Sequence, residues 1–184
     1  MADKKAILVN AKGMKLSGAG EASEKIAKKA AVLPNADATS IVEKAQALGG
    51  VKTDAANLAD VLEKNTLAII EGTETALAAA LEAANRKTLV VVAADDGVAF
   101  YGLGVNGKAG NVQRKANADD IVLTIATVAD MPIGPDCEAA ILYQVLKDPN
   151  LKLNELIKLQ EALARMESVI ERNNREPWDK HDCA

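Results

Sequence analysis

Two adjacent carboxylates, Asp95 and Asp96, follow the apolar run Leu89–Ala94 and precede Gly97. Neighbouring carboxylates at a strand's end can project hard oxygen ligands towards a divalent cation, manganese or zinc. Zinc wants four ligands and a two-metal centre wants more, bridged by carboxylates and histidines. The only histidine is His181, close to the C-terminus. The competing reading of the pair is a solvated exit from a strand. A second constellation is the loop Gly13–Gly20, GMKLSGAG, between a strand and a helix, where Lys12, Lys15 and Ser17 could receive a phosphate. Gly13 and Gly18 have the G-x-x-x-x-G spacing, but Ala19 and Gly20 stand where a nucleotide loop needs Lys and then Ser or Thr. Asp119 and Asp120 open a helix, and carboxylates there stabilise its amino end without further role. The cluster Asp179, His181, Asp182 and Cys183 has metal-ligand types, but it lies in a short polar tail. No Ser/His/Asp triad can be assembled from a single terminal histidine.

The elements that must position these residues follow from apolar patterning. Leu67–Ile70 and Leu89–Ala94 are runs without alternation, as expected of strands buried on both faces of a parallel sheet. Between them Thr73–Asn85 has a helical stripe through Leu77 and Leu81. Lys5–Asn10 is a first strand and Ala99–Val105 a further one, with a turn at Asn106–Asn111. Helices are expected at Glu21–Val32, ended by Pro34, and at Asp37–Leu48, stopped by Gly49-Gly50. Further helices are expected at Ala55–Glu63, Ala118–Ala129 and Glu138–Leu146. Leu153–Asn173 is the longest helix, with Leu156, Leu163 and Ile170 seven residues apart and Leu159 and Met166 between them. This a/d pattern covers about two and a half heptads. It fits a helix docked on its own domain or one paired with another subunit.

Composition bounds the classes of function. The 184 residues are 49% hydrophobic and 26% charged, enough for one globular domain with an appendage. The net charge of −4 and the scattered basic residues argue against a nucleic-acid partner, as do rings confined to Phe100, Tyr101, Tyr143 and Trp178. The apolar runs are far below the ~20 residues of a membrane span. MADKKAILV has too short an apolar run for a signal peptide. Cys137 and Cys183 are too few for a disulfide framework. A cytoplasmic protein without membrane contact is expected.

Four segments resemble the alkaline phosphatase superfamily, and within it the metal-dependent phosphomutases. KAILVNAKG, Lys5–Gly13, resembles the family's first strand, which ends in a metal-binding Asp before Gly. ASEKIAKKAAVLPNADA, Ala22–Ala38, resembles the next helix and its proline-asparagine stretch. TLVVVAADDG, Thr88–Gly97, resembles the strand that ends in a Thr/Ser-x-Asp-His-Gly signature. Ala99–Pro132, with YGLGV and ADDIVLTIATVADMP, resembles the last core strand and helix. The resemblance implies an α/β fold: a mostly parallel sheet with helices on both faces, an alkaline-phosphatase-like core without the mutases' cap. In it Asp95 would be a metal ligand and Asp96 would replace the His. Lys12 or Asn10 would replace the first Asp, and Thr53 in GGVKTD would be the attacking hydroxyl.

Residues 1–150 are therefore expected to form the core, 151–174 an amphipathic helix and 175–184 a tail. The first functional expectation is a non-catalytic binding or scaffolding protein. It would need no cofactor and would form a homo-oligomer through Leu156, Leu159, Leu163, Met166 and Ile170. A second is a reduced metal-dependent phosphatase or phosphomutase using Asp95, Asp96 and Thr53. A third is a sensor of a phosphorylated small molecule held near Lys12, Lys15 and Ser17.

Overall fold

The computed structural model describes residues 4–18, 20–135, 137–148 and 150–175. The chain divides into two compact units, Met1–Lys147 and Asp148–Ala184. The first is an α/β unit around a seven-stranded sheet, and the second contains a long C-terminal helix. The tail expected at 175–184 lies, after Arg175, outside the described residues.

The sheet has the order β3-β4-β1-β5-β6-β2-β7. Its strands are β1 (Lys5–Ala11), β2 (Ala31–Leu33), β3 (Val51–Thr53), β4 (Leu67–Glu71), β5 (Thr88–Ala94), β6 (Gly97–Gly102) and β7 (Gly110–Asn111). All neighbouring pairs are parallel except those of β6, which runs against β5 and β2. The helices of this unit are α1 (Glu21–Lys29), α2 (Ile41–Ala47), α3 (Leu58–Lys64), α4 (Glu74–Ala83) and α5 (Ala118–Val128).

The unalternated runs are explained by a core on each side of the sheet. Ile7 and Val9 of β1, with Ala68 and Ile70 of β4, pack among Ile26 of α1, Leu58 of α3 and Leu77 of α4. Ala6 and Leu8, with Leu67 and Ile69, pack among Ile41 of α2 and Ile121 and Ile125 of α5. Parallel crossovers share one hand. The steps β1 to β2, β3 to β4 and β4 to β5 all run one way along the sheet, and their helices share a face. The long return from β2 to β3 runs the other way, which sends α2 over the opposite face.

Several boundaries differ from those expected. The helix expected to reach Val32 stops at Lys29, because Ala31–Leu33 leaves it to pair with both β6 and β7. The helix expected from Asp37 begins only at Ile41. Asp37 accepts a hydrogen bond from the Thr39 N–H at 2.9 Å, a local turn that competes with helix. Asp54 does the same for Asn57 at 2.9 Å and delays α3 to Leu58. The three-residue strand β3 was not expected.

The helix expected at Glu138–Leu146 is absent; only Tyr143–Val145 makes a 3-10 turn. The Ala140 N–H donates to Asp120 at 2.8 Å and the Leu142 N–H donates to the Thr124 hydroxyl at 3.0 Å. Those N–H groups are captured by α5, and tertiary contact overrides the local helical preference.

Candidate functional site

Asp95 and Asp96 are the two residues of a tight turn between β5 and β6, since Ala94 pairs directly with Gly97. Gly97 has φ +143, and a Cβ there would lie 2.6 Å from the Leu33 carbonyl oxygen of β2. Glycine thus lets β6 start against β2. The turn is clamped onto the loop after β1. The Gly13 N–H donates to Asp95 Oδ1 at 3.0 Å, and the Asp95 N–H donates to the Met14 carbonyl at 3.0 Å. Asp96 accepts from the Leu16 N–H at 2.7 Å, the Ser17 N–H at 3.3 Å and the Ser17 hydroxyl at 3.1 Å. Leu16 then buries its side chain beside β1 and α1.

Burial pulls the Asp96 carboxyl upward, but the N–H groups of Leu16 and Ser17 and the Ser17 hydroxyl outweigh it. They hold the carboxyl below its ordinary value. Asp96 and Ser17 are thereby engaged with each other. Among the described residues no group of three His, Cys, Asp or Glu side chains converges as a metal site. Thr53 ends β3 at the sheet's edge, where its hydroxyl donates to the Asp54 carbonyl at 3.3 Å. The structure does not bring Thr53 to the Asp95–Asp96 turn: β4 and β1 lie between β3 and β5, from which the turn leaves. Lys15 is exposed on the braced loop.

The opening at the carboxyl ends of the strands lies instead above Asn10. In open α/β sheets this edge is where ligands bind. Period-2 alternation puts Asn10 on the same face as Ala6 and Leu8, beneath the start of α2. Here the core ends in a cleft of two lobes, about 290 Å³ and about 170 Å³, that share Asn10, Lys12, Ala38 and Ser40. Asp37, Thr39 and Asp95 line the larger lobe, and Lys52 and Glu71 the smaller.

The polar groups of the cleft divide into those with partners and those without. Lys52 pairs with Glu71 at 3.2 Å. The side chain and N–H of Thr39 hold Asp37 below its ordinary value. Asp95 is tied to Gly13. Asn10 is only 8% exposed, yet among the described residues its amide has no hydrogen-bond partner. No fully enclosed side-chain polar atom is left unsatisfied, so the amide meets solvent through the cleft. Lys12 is exposed and has neither an ion pair nor a hydrogen bond among the described residues. Ser40 adopts φ 64 and ψ 10, left-handed backbone that costs a non-glycine residue about 1–2 kcal/mol. Such outliers persist where surrounding structure enforces them, often at functional positions.

Of the sequence candidates, only Lys12 and Asp95 line this cleft. Asn10 enters the sequence reading only through an alternative alignment, and Thr39 and Ser40 not at all. The signal for Asn10 was available: a polar residue in the inward register Ala6-Leu8-Asn10 of an apolar strand. No helix among the described residues is long and apolar enough to cross a membrane. The chain matches no protein-family model, no curated protein and no solved structure.

Proposed function

We propose that the protein is a non-catalytic binding protein whose cleft above β1 holds a small phosphorylated molecule, on a core of the alkaline phosphatase type. The observation that carries this reading is Asn10, 8% exposed, whose side-chain amide has no hydrogen-bond partner among the described residues and meets solvent in the cleft. A ligand that enters the cleft can replace the solvent on that amide with its own hydrogen bonds. Lys12 gives the cleft an ammonium that makes no ion pair among the described residues, suited to a phosphate oxygen. Of the carboxylates that line the cleft, Glu71 is partnered by Lys52, Asp37 by Thr39 and Asp95 by Gly13, while Glu43 in the smaller lobe has no hydrogen bond or ion pair among the described residues.

Thermal unfolding with orthophosphate and a panel of phosphomonoesters tests the reading. A ligand at 100 times its Kd stabilises by about 2.7 kcal/mol, or roughly 5–10 °C in a domain of this size. Asn10→Ala is expected to keep the unliganded Tm within 2 °C or so and to abolish the shift. Absence of any shift at millimolar ligand defeats the proposal. Stoichiometric manganese or zinc, lost on Asp95→Ala with Asp96→Ala, would replace it with metal-dependent phosphoryl transfer.

A further inference from the structure

The C-terminal helix α6 (Leu151–Arg175) carries an observation independent of the cleft. Leu156, Leu159, Leu163, Met166, Val169 and Ile170 are all exposed along it, Leu159 at 68% and Met166 at 63%. They fall in the a, d and g positions of one heptad frame, a continuous apolar stripe on a helix about 37 Å long. Stable helices of this kind owe their stability to packing of that face.

Nothing else described in the chain matches the stripe. Among the described residues the α/β unit exposes only Val51, Ile133 and Tyr143 of its large apolar side chains. These are isolated positions, of the kind any surface carries. The surface of matching length and pattern is the stripe itself. The six residues present about 600 Å² of apolar area, or about 1,200 Å² over a pair, at the lower end of stable interfaces.

We infer that α6 pairs with α6 of a second copy, in antiparallel orientation. The flanking residues decide the orientation. In a parallel pair each g position faces an e position of the partner, which sets Ala162 against Glu167. In an antiparallel pair g meets g and e meets e. Ala162 then meets Val169, extending the apolar seam, and Gln160 meets Glu167 in water. A shallow hollow between Ala162, Met166, Val169 and Ile170 lies on the side that this arrangement closes. The register centres between Leu163 and Met166.

Sedimentation equilibrium of the full chain from 2 to 200 µM is expected to give a reversible species of twice the 19.3 kDa chain mass. Leu163→Asp with Met166→Asp is expected to return the mass to 19.3 kDa and leave thermal unfolding of the α/β unit unchanged. A wild-type monomer at every concentration overturns the inference. So does a dimer that survives both substitutions, or a monomer whose α/β unit loses stability in the variant, which would mean that the stripe docks within its own chain. Orientation is read by spin labels at Asn154→Cys in a Cys137→Ser, Cys183→Ser background. Antiparallel helices separate the two sites by more than about 30 Å, whereas labels level with each other on the outer faces, about 15–20 Å apart, overturn the antiparallel arrangement.

Discussion

Glu74 offers the sharpest test of the packing that holds the sheet's helices. It opens α4, yet it caps α1, more than fifty residues earlier. The residue before α1 is Gly20, which has no side chain to cap with. Glu74 Oε1 accepts from the Ala22 N–H at 2.7 Å and the Ser23 N–H at 3.2 Å, while the Ser23 hydroxyl donates to Oε2. One carboxylate thus lies at the positive ends of two helices. Glu74→Ala would leave two helix-end N–H groups for water and strand the Ser23 hydroxyl, whose residue is 2% exposed. Hydrogen bonds to a charged group contribute about 1.5–3 kcal/mol, and a stranded buried donor costs about 1–3. Because the N–H groups can hydrate, the expected loss is about 2–4 kcal/mol in urea unfolding at pH 7, with an unchanged m-value.

Burial pushes the Glu74 carboxyl upward, but the hydroxyl and N–H of Ser23 and the N–H of Ala22 outweigh it, and the carboxyl lies below its ordinary value. A depressed folded pKa gives stability that is present above the unfolded value and fades as pH falls through the folded one. The gap between wild type and Glu74→Ala should therefore narrow below about pH 4.5. Gly20→Ala supplies a coupling test, because its Cβ would overlap the Glu74 carboxylate. It should destabilise the wild type and cost little in the Glu74→Ala background. A loss under about 0.5 kcal/mol at pH 7, a gap indifferent to acid, or additive single substitutions would each refute the reasoning.

Asp96→Ala should cost roughly 1.5–3 kcal/mol and lower hydrogen-exchange protection at Leu16 and Ser17, whose N–H groups it binds. Its contribution should fade as pH drops below about 3.8, since its carboxyl is also depressed. Gly97→Ala should lose roughly 2–4 kcal/mol in denaturant unfolding, through positive φ and the collision with the Leu33 carbonyl. Ser40→Gly should gain about 1 kcal/mol by relieving left-handed backbone, while phosphate affinity falls because the cleft loses a hydroxyl. A simultaneous gain in both would separate that strain from binding.

What the sequence makes legible is what is local. Leu67–Ile70 and Leu89–Ala94 announce buried parallel strands because both of their faces are covered and no alternation is required. The carboxylate pair is visible too, but its work is not. The N–H groups that occupy it belong to residues some eighty positions earlier, brought close by the pairing of β1 with β5. The strands β2 and β3 have three residues each and leave no periodicity to read. Val32 and Leu33 prolong an apolar pattern that belongs to α1 until Ala31–Leu33 pairs with β6. Glu138–Leu146 has helical composition and loses its helix to Asp120 and Thr124, which no window of sequence around it contains.

These misreadings share a physical cause, and it bears on where function lies. Asp95, Asp96, Glu74 and Asp120 all hold backbone N–H groups from distant segments. In this chain acidic side chains serve as long-range caps, which is why paired carboxylates resemble catalytic machinery without standing free to act as it. At Asp96 and Glu74 the donors hold the carboxyl below its ordinary value, which leaves it little capacity to take a proton near neutral pH. The informative residues are then the polar groups that the fold does not use. Asn10 lies near the end of β1 and Lys12 just beyond it, and neither side chain has a hydrogen bond or ion pair among the described residues. An amide that faces the cleft, beside a lysine with no ion pair among the described residues, is where a ligand would find donors that the fold has not used.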